Sequence, residues 1–177
     1  MSHAGESIDL RYPIGQFAPG DFPDRSENLK TIRNSHADVT AAIAGLNDEQ
    51  LDTPYRDGGW TVRQTVHHIA DSHANCLIRF KLALTEDEPP TIRPYMEDRW
   101  AKLDDNKLPI EVSLRMIDAI HTRWSAVLDG MSDTDFARKF LHPETGEWTL
   151  EAALALYAWH SKHHTAHITS LRERNGW

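Results

Sequence analysis

Apolar side chains recur along most of this chain at alternating steps of three and four residues, which is the spacing of one face of an α-helix. Four segments carry the pattern. In chain order they run from Asp24 to about Leu46, from Thr61 to a point before Pro89, from about Leu114 to Gly130, and from Thr149 to about Gly176. The sequence therefore predicts four long helices.

Several ends of these helices are marked by residues that cap helices. Thr61 and Gln64 have the spacing of a capping box, in which each side chain accepts a hydrogen bond from the other residue's backbone N–H. Thr149 stands where an N-cap is expected, and Gly130 stands where a helix commonly ends. The sequence thus predicts where the second and fourth helices begin and where the third ends.

The remaining segments are rich in proline. Residues 1–23 contain three prolines and predict an extended arm, and residues 85–109 contain four prolines and predict a long crossover with a short helix near Tyr95 to Leu103. Apolar and polar residues almost nowhere alternate at every second position, so no sheet is expected. The predicted fold is all-α, a four-helix bundle over residues 24–177 preceded by the arm.

A weak internal repeat supports this layout. The end of the first helix, Leu46-Asn47-Asp48, resembles Met131-Ser132-Asp133 at the end of the third. The second helix is introduced by Trp60-Thr61-Val62 and the fourth by Trp148-Thr149-Leu150. Two related helix pairs would make the second and fourth helices partners across the core.

The composition excludes several classes of function. A net charge of -8 and a pI near 5.7, without a run of Lys or Arg, exclude electrostatic binding of nucleic acid or of an anionic membrane. The expected partner is a small-molecule substrate. Cys76 is the single cysteine, and the chain opens with no signal or transit segment, which together predict a cytoplasmic protein. No apolar run approaches the roughly 18 residues that a spanning helix needs.

Histidine is the unusual component, with 11 residues in the chain. Four of them lie within two turns of the predicted fourth helix. At about 100° per residue, His160 and His164 face the apolar stripe, whereas His163 points about 120° away from it and is expected in solvent. The i, i+4 spacing of the inward pair allows both rings to bind one metal ion.

The predicted second helix offers a third imidazole. His68 lies about 80° from the centre of its stripe, while His67 lies about 140° away and is expected in solvent. His73 lies in the stripe and competes as a ligand, although a buried histidine with protein partners is the other interpretation, and it also applies to His36 and His121. The same interpretation, without any metal, stays open for His160 and His164 themselves. His3 lies in the predicted arm and His142 in a predicted loop, so both are expected in solvent.

Three neutral imidazoles leave at least one coordination position open for water or substrate, as in catalytic zinc sites. Zinc is expected from its abundance, although imidazole also suits nickel, copper, cobalt and ferrous iron. Because a ligand histidine must be neutral, metal binding is expected to weaken as the pH falls through about 6.5. Polar residues follow His68 on successive turns, where they can orient the ligands or guide substrate. They are Asp71, Ser72, Asn75 and Arg79. Tyr55 and Trp60 lie at the entrance to the second helix, where ordinary loop packing is expected of them.

Several ordered motifs resemble the YfiT proteins of the DinB-like superfamily, and the resemblance covers nearly the whole chain. Three of these motifs extend from Leu51 to Gln64, from His67 to His73 and from Trp159 to Ser161. Tyr12-Pro13-Ile14-Gly15 in the arm extends the match.

The resemblance implies a four-helix bundle, a homodimer, and a metal bound by His68, His160 and His164. It also implies metal-dependent hydrolase activity, in which the metal activates water. Related superfamily members are similar to transferases that add a low-molecular-weight thiol, such as bacillithiol, to electrophiles. Three functions therefore remain open at this point, namely the hydrolase, a thiol transferase and a non-catalytic module stabilised by metal.

Overall fold

A computed structural model describes residues 9–18, 20 and 24–177 of the chain. Four long helices dominate it, and they are α1 (Arg25–Ile43), α3 (Val62–Thr85), α5 (Ile110–Asp129) and α7 (Leu150–Asn175). Three single-turn helices lie between them, namely α2 (Asp48–Leu51), α4 (Glu97–Trp100) and α6 (Asp133–Phe136). The prediction of four long helices is confirmed.

The caps explain where the long helices begin and end. Asp24 accepts hydrogen bonds from the backbone of Ser26 at the start of α1, and Thr61 forms the predicted capping box with Gln64 at the start of α3. The hydroxyl of Thr149 caps α7. The helix ends at Gly176, whose φ of 67° is the left-handed conformation that glycine adopts most readily.

The four long helices pack as a ring in which α1 contacts α5 and α7, and α3 contacts the same two helices. One apolar cluster surrounds Phe80, Trp124 and Leu154, and a second surrounds Val66 and Ile168. Along both α3 and α7, histidine and serine side chains lie between the residues of the two clusters. The bundle therefore has a polar layer in its core, and this layer needs internal partners.

The crossover from α3 to α5 contains α4 and a short 3-10 helix at Asp104–Lys107. It passes over one side of α3, where the backbone carbonyl of Ala101 accepts a hydrogen bond from the Gln64 side chain over 2.8 Å. The predicted short helix near Tyr95 to Leu103 is thus a single turn.

The expectation of no sheet was wrong. An antiparallel hairpin joins α6 to α7, with β1 at Lys139–His142 and β2 at Gly146–Thr149. The crossover extends it, because Ile92 N donates to Leu141 O over 2.9 Å. Strands of four residues are too short to show a clear alternation of polar and apolar side chains.

The arm lies along α7 where it is described. Trp159 Nε1 donates to the carbonyl of Gly15 over 3.3 Å, and the ring of Tyr12 lies beside His163. Residues 1–8, 19 and 21–23 of the predicted arm lie outside the described residues, and the prediction for His3 lies there with them. No helix in the described ranges is long and apolar enough to cross a membrane.

Candidate metal centre

Three histidines meet where α3 packs on α7. Their candidate ligand atoms, one from each of His68, His160 and His164, lie within 4.8 Å of one another. His68 Nε2 is 3.1 Å from His160 Nε2, and two nitrogens bound to one tetrahedral zinc ion would be roughly 3.3 Å apart. Two lone pairs at this distance repel, so either a proton or a cation has to lie between them. The geometry therefore fits a divalent metal ion.

A relay of hydrogen bonds orients His160. His121 Nδ1 donates to the carbonyl of Ile32 over 2.5 Å, so His121 Nε2 accepts from His73 Nδ1 over 2.7 Å. His73 Nε2 then accepts from His160 Nδ1 over 3.2 Å. Because a carbonyl can only accept, neutral rings have a single arrangement of protons along this relay. That arrangement leaves His160 Nε2 unprotonated on the side that faces His68.

A second relay orients His164 in the same way. His167 Nε2 donates to the carbonyl of Arg11 over 3.1 Å, so His167 Nδ1 accepts from His164 Nδ1 over 3.3 Å. His164 Nε2 is then the nitrogen without a proton. Both rings on α7 are thus prepared as metal ligands by other histidines, in the place where a carboxylate or backbone carbonyl usually stands.

Burial keeps these rings neutral. Loss of solvation, reinforced by the charge of His167, lowers the pKa of His68 to about 4. Burial first, and then neighbouring histidines, hold the pKa values of His160 and His164 well below the usual range. Competition between protons and metal, expected near pH 6.5 from the sequence, therefore moves to lower pH.

A second group of histidines, His163, His164 and His167, also has ligand atoms within 4.8 Å of one another. In this group the Nδ1 atoms of His164 and His167 already face each other across a hydrogen bond. His163 Nδ1 is buried without a hydrogen-bond partner. Because a metal here would displace the proton that orients His164, the group with His68 and His160 fits an ion better.

Two histidines that were expected in solvent are buried, and both expectations were wrong. His67 is 5% exposed, with Nδ1 2.6 Å from Ser113 Oγ and Nε2 3.1 Å from the carbonyl of Leu108. His163 is 6% exposed and stacks on Trp159. Helical phase was a poor guide here because the crossover and the arm cover faces that lie outside the four-helix core.

The competing interpretation of His73 and His121, as buried histidines with protein partners, describes their contacts correctly. Both are fully or almost fully buried, and each bonds within the first relay. His36 is only partly buried and faces Asp118 at 3.7 Å. His142, expected in solvent, is half-buried in β1 beside the backbone of Glu144.

Aromatic rings cover the centre on the side of the crossover. The indole of Trp60 lies 4.4 Å from the ring of His68 and 6.2 Å from that of His164, and Tyr55 stacks on His167 at 3.9 Å. The sequence placed both aromatics at a helix entrance but assigned them ordinary loop packing. Their position against the centre depends on how the segment between α2 and α3 folds back, and residue spacing does not report it.

A cavity of about 820 Å³ opens beside the centre, with His160 and part of the crossover in its wall. Of the polar residues that follow His68, Ser72 and Arg79 line this cavity, whereas Asn75 bonds the backbone of Asp71 instead. A molecule in the cavity could therefore reach the three-histidine group from the His160 side.

Similar proteins share this fold and site region. A protein of Bacillus mycoides (strain KBAB4) named "Putative metal-dependent hydrolase" is 54% identical over 96% of this chain and 99% of its own length. YfiT from Bacillus subtilis, described as a probable metal-dependent hydrolase with an unusual four-helix bundle topology, has a TM-score of 0.90. It is 49% identical over 95% of this chain and 98% of its own.

A mycothiol-dependent maleylpyruvate isomerase matches 85% of this chain and 62% of its own with a TM-score of 0.66. At 14% identity, it shares the fold alone. The family model described as the DinB superfamily matches residues 31–168, a range that includes all three candidate ligands. The resemblance drawn from the motifs is confirmed, and the chain belongs to the DinB superfamily.

Proposed function

We propose that this protein is a metal-dependent hydrolase in which His68, His160 and His164 bind one divalent metal ion. Zinc is the first candidate and nickel the second, since imidazole suits both. The observation that carries the proposal is the convergence of three ring nitrogens, two of them from buried histidines and one from the half-buried His160, beside a cavity of about 820 Å³. Two of the rings are oriented by relays.

The chain's own residues support this chemistry. A bound ion would supply a Lewis acid, which lowers the pKa of water and polarises a substrate carbonyl. The indole of Trp60 packs against the ring of His68 and shields part of that ring from water. Burial raises the pKa values of Tyr95 and Tyr157, so both hydroxyls stay protonated and can donate to an oxygen that gains negative charge.

The test is an activity screen of the purified protein loaded in turn with zinc, nickel, cobalt or ferrous iron. Ester and amide substrates are compared with thiol-plus-electrophile pairs. We expect metal-dependent hydrolysis, reduced at least ~100-fold in His164→Ala because the ion loses one of three ligands. His36→Ala is the matched control, since this histidine lies outside both relays.

Other outcomes would assign other functions. Turnover that needs an added thiol would replace the hydrolase by a thiol transferase. Tight metal binding without any turnover would favour a metal-stabilised binding module.

We also propose that the protein works as a homodimer in the cytoplasm, with the crossover as a contact surface. Apolar side chains exposed on the crossover support this, and they include Met96, Leu103 and Leu108. Sedimentation at micromolar concentration should give a mass near 40 kDa, about twice the chain's own. A mass near 20 kDa would contradict the dimer.

A further inference from the structure

The inner wall of the cavity beside His160 offers hydrogen-bond donors but no carboxylate. Ser72, Arg79, Tyr95 and Tyr157 contribute its polar groups. The carboxylates that also line the cavity belong to Glu97, Asp98 and Glu144, and all three residues are exposed. The interior of the cavity therefore suits a ligand that accepts hydrogen bonds.

Arg79 is unusual among the arginines of the described ranges. The side chains of five of them form neither an ion pair nor a hydrogen bond, and four of these five residues are exposed, namely Arg93, Arg99, Arg115 and Arg123. Arg79 is the half-buried member of the set. A guanidinium that has lost part of its water without gaining an anion is poorly solvated, so an anionic ligand would bind there favourably.

Glu97 does not supply the anion that Arg79 lacks. Partial loss of solvation at its carboxyl, reinforced by Asp98, raises the pKa of Glu97 although the residue as a whole is exposed. Arg79 favours the ionised form, yet the two side chains form no ion pair. Asp98 accepts instead from Trp60 Nε1 over 3.2 Å.

Tyr95 supplies a second donor in need of a partner. Its hydroxyl is buried without a hydrogen bond of normal geometry. Ser72 lies close enough to lower the pKa of Tyr95, but the Ser72 hydroxyl donates to Tyr157 Oη over 3.3 Å, so the proton of Tyr95 has no acceptor. Arg79 and Tyr95 line the same cavity, and the charge of Arg79 is felt at the Tyr95 hydroxyl, although less than the charges of Glu97 and Asp71. One guanidinium and one neutral hydroxyl match a planar monoanion better than a phosphate dianion.

We propose that the substrate carries a carboxylate, which Arg79 and Tyr95 bind while the bond to be hydrolysed lies at the three-histidine group. This inference rests on the proposed hydrolase function. Phe140, Trp148 and Leu156 line the same cavity and would contact the apolar part of such a substrate.

The test compares two esters of equal shape on the zinc-loaded protein. One is 4-nitrophenyl hemiglutarate, which has a free carboxylate, and the other is its neutral carbamoyl analogue. We expect kcat/KM about 10- to 100-fold higher for the carboxylate, which is the range for a charge-assisted hydrogen bond. Arg79→Gln should abolish this preference by raising KM for the carboxylate ester, because the variant no longer offers a cation to the carboxylate.

Arg99→Gln is the matched control, because this arginine is exposed at the mouth of the cavity and its charge is screened. It should change the preference less than about threefold. A preference that survives Arg79→Gln, or a wild-type protein that treats the two esters alike, would overturn the subsite. A thermal melt of Arg79→Gln checks that the variant is folded.

A binding experiment separates failure of the subsite from failure of the hydrolase. If neither ester is cleaved, calorimetry of metal-free protein with glutarate monoamide and with glutaramide still measures the subsite. The subsite is supported if the monoamide binds, glutaramide does not, and Arg79→Gln loses the binding. Equal binding of the monoamide and glutaramide overturns the subsite. Methyl phosphate that binds more tightly than the monoamide would assign the site to phosphates and likewise overturn the carboxylate proposal.

Discussion

At the scale of single residues, adjacent histidines on α3 have different partners. His68 contributes a ring nitrogen to the candidate metal centre, whereas His67 bonds Ser113 and the backbone of Leu108. Loss of the first removes a ligand, and loss of the second removes two hydrogen bonds that hold the crossover and α5 to α3.

The two substitutions should therefore separate metal content from stability. We expect His68→Ala to lose the metal, as measured by elemental analysis after gel filtration. His67→Ala should keep the metal but lose about 1–3 kcal/mol of unfolding free energy, because buried partners are left unsatisfied. Metal loss in His67→Ala with retention in His68→Ala would contradict the assignment of ligands.

The first relay makes a second prediction at this scale. His121→Phe keeps a ring of similar size but leaves the proton on His73 without its acceptor, so the orientation of His160 is no longer specified. Metal affinity should fall about 10- to 100-fold, measured by competition with a coloured chelator. His36→Ala should leave the affinity unchanged. Unchanged affinity in a folded His121→Phe protein would show that the relay does not orient the ligand.

At the scale of elements, the arm is part of the candidate centre. Its carbonyl at Arg11 accepts from His167, and its Tyr12 ring covers His163. The arm lies far from α7 in sequence, yet it determines which nitrogen of His164 carries the proton.

This contact predicts a non-additive result. Deletion of residues 1–18 and His167→Ala each break the same relay, so each should weaken metal binding, by about tenfold. The double variant should be no weaker than the worse single variant, because both changes remove one interaction. The same chelator competition measures all four proteins. Fully additive losses would mean that the arm and His167 act independently.

At the scale of the whole molecule, the buried histidines determine how stability depends on pH. Burial lowers the pKa of His163 to about 3 and of His167 to about 4, whereas an unfolded histidine titrates near 6.5. Between these values the unfolded chain binds more protons than the native protein, so the free energy of unfolding decreases as the pH falls.

The metal-free protein should accordingly be most stable above pH 7 and lose about 1.4 kcal/mol per pH unit for each such histidine between about pH 6.5 and 4. Asp71, whose pKa burial raises to about 6, acts in the opposite direction but is outnumbered by the histidines. Urea midpoints at pH 7.5, 6 and 5 measure the slope. His167→Ala should reduce it, and midpoints that do not change from pH 7.5 to 5 would contradict this account.

Much of the architecture could be predicted from the sequence. The spacing of apolar residues and the capping signals at Thr61 and Thr149 are local, so they predicted the four long helices and two helix starts that the structure confirms. The same spacing placed His160 and His164 one turn apart on one face. The i, i+4 geometry of a helix requires that proximity whatever surrounds it.

Only the tertiary structure decided what surrounds those rings. Burial of His67 and His163 depends on the crossover and the arm, which lie far from them in sequence. The carbonyls of Ile32 and Arg11 end the two relays, and a backbone carbonyl has no sequence signature, since every residue carries one. The sequence thus determined which histidines could meet, whereas packing between distant segments determined their protons, their pKa values and the cavity beside them.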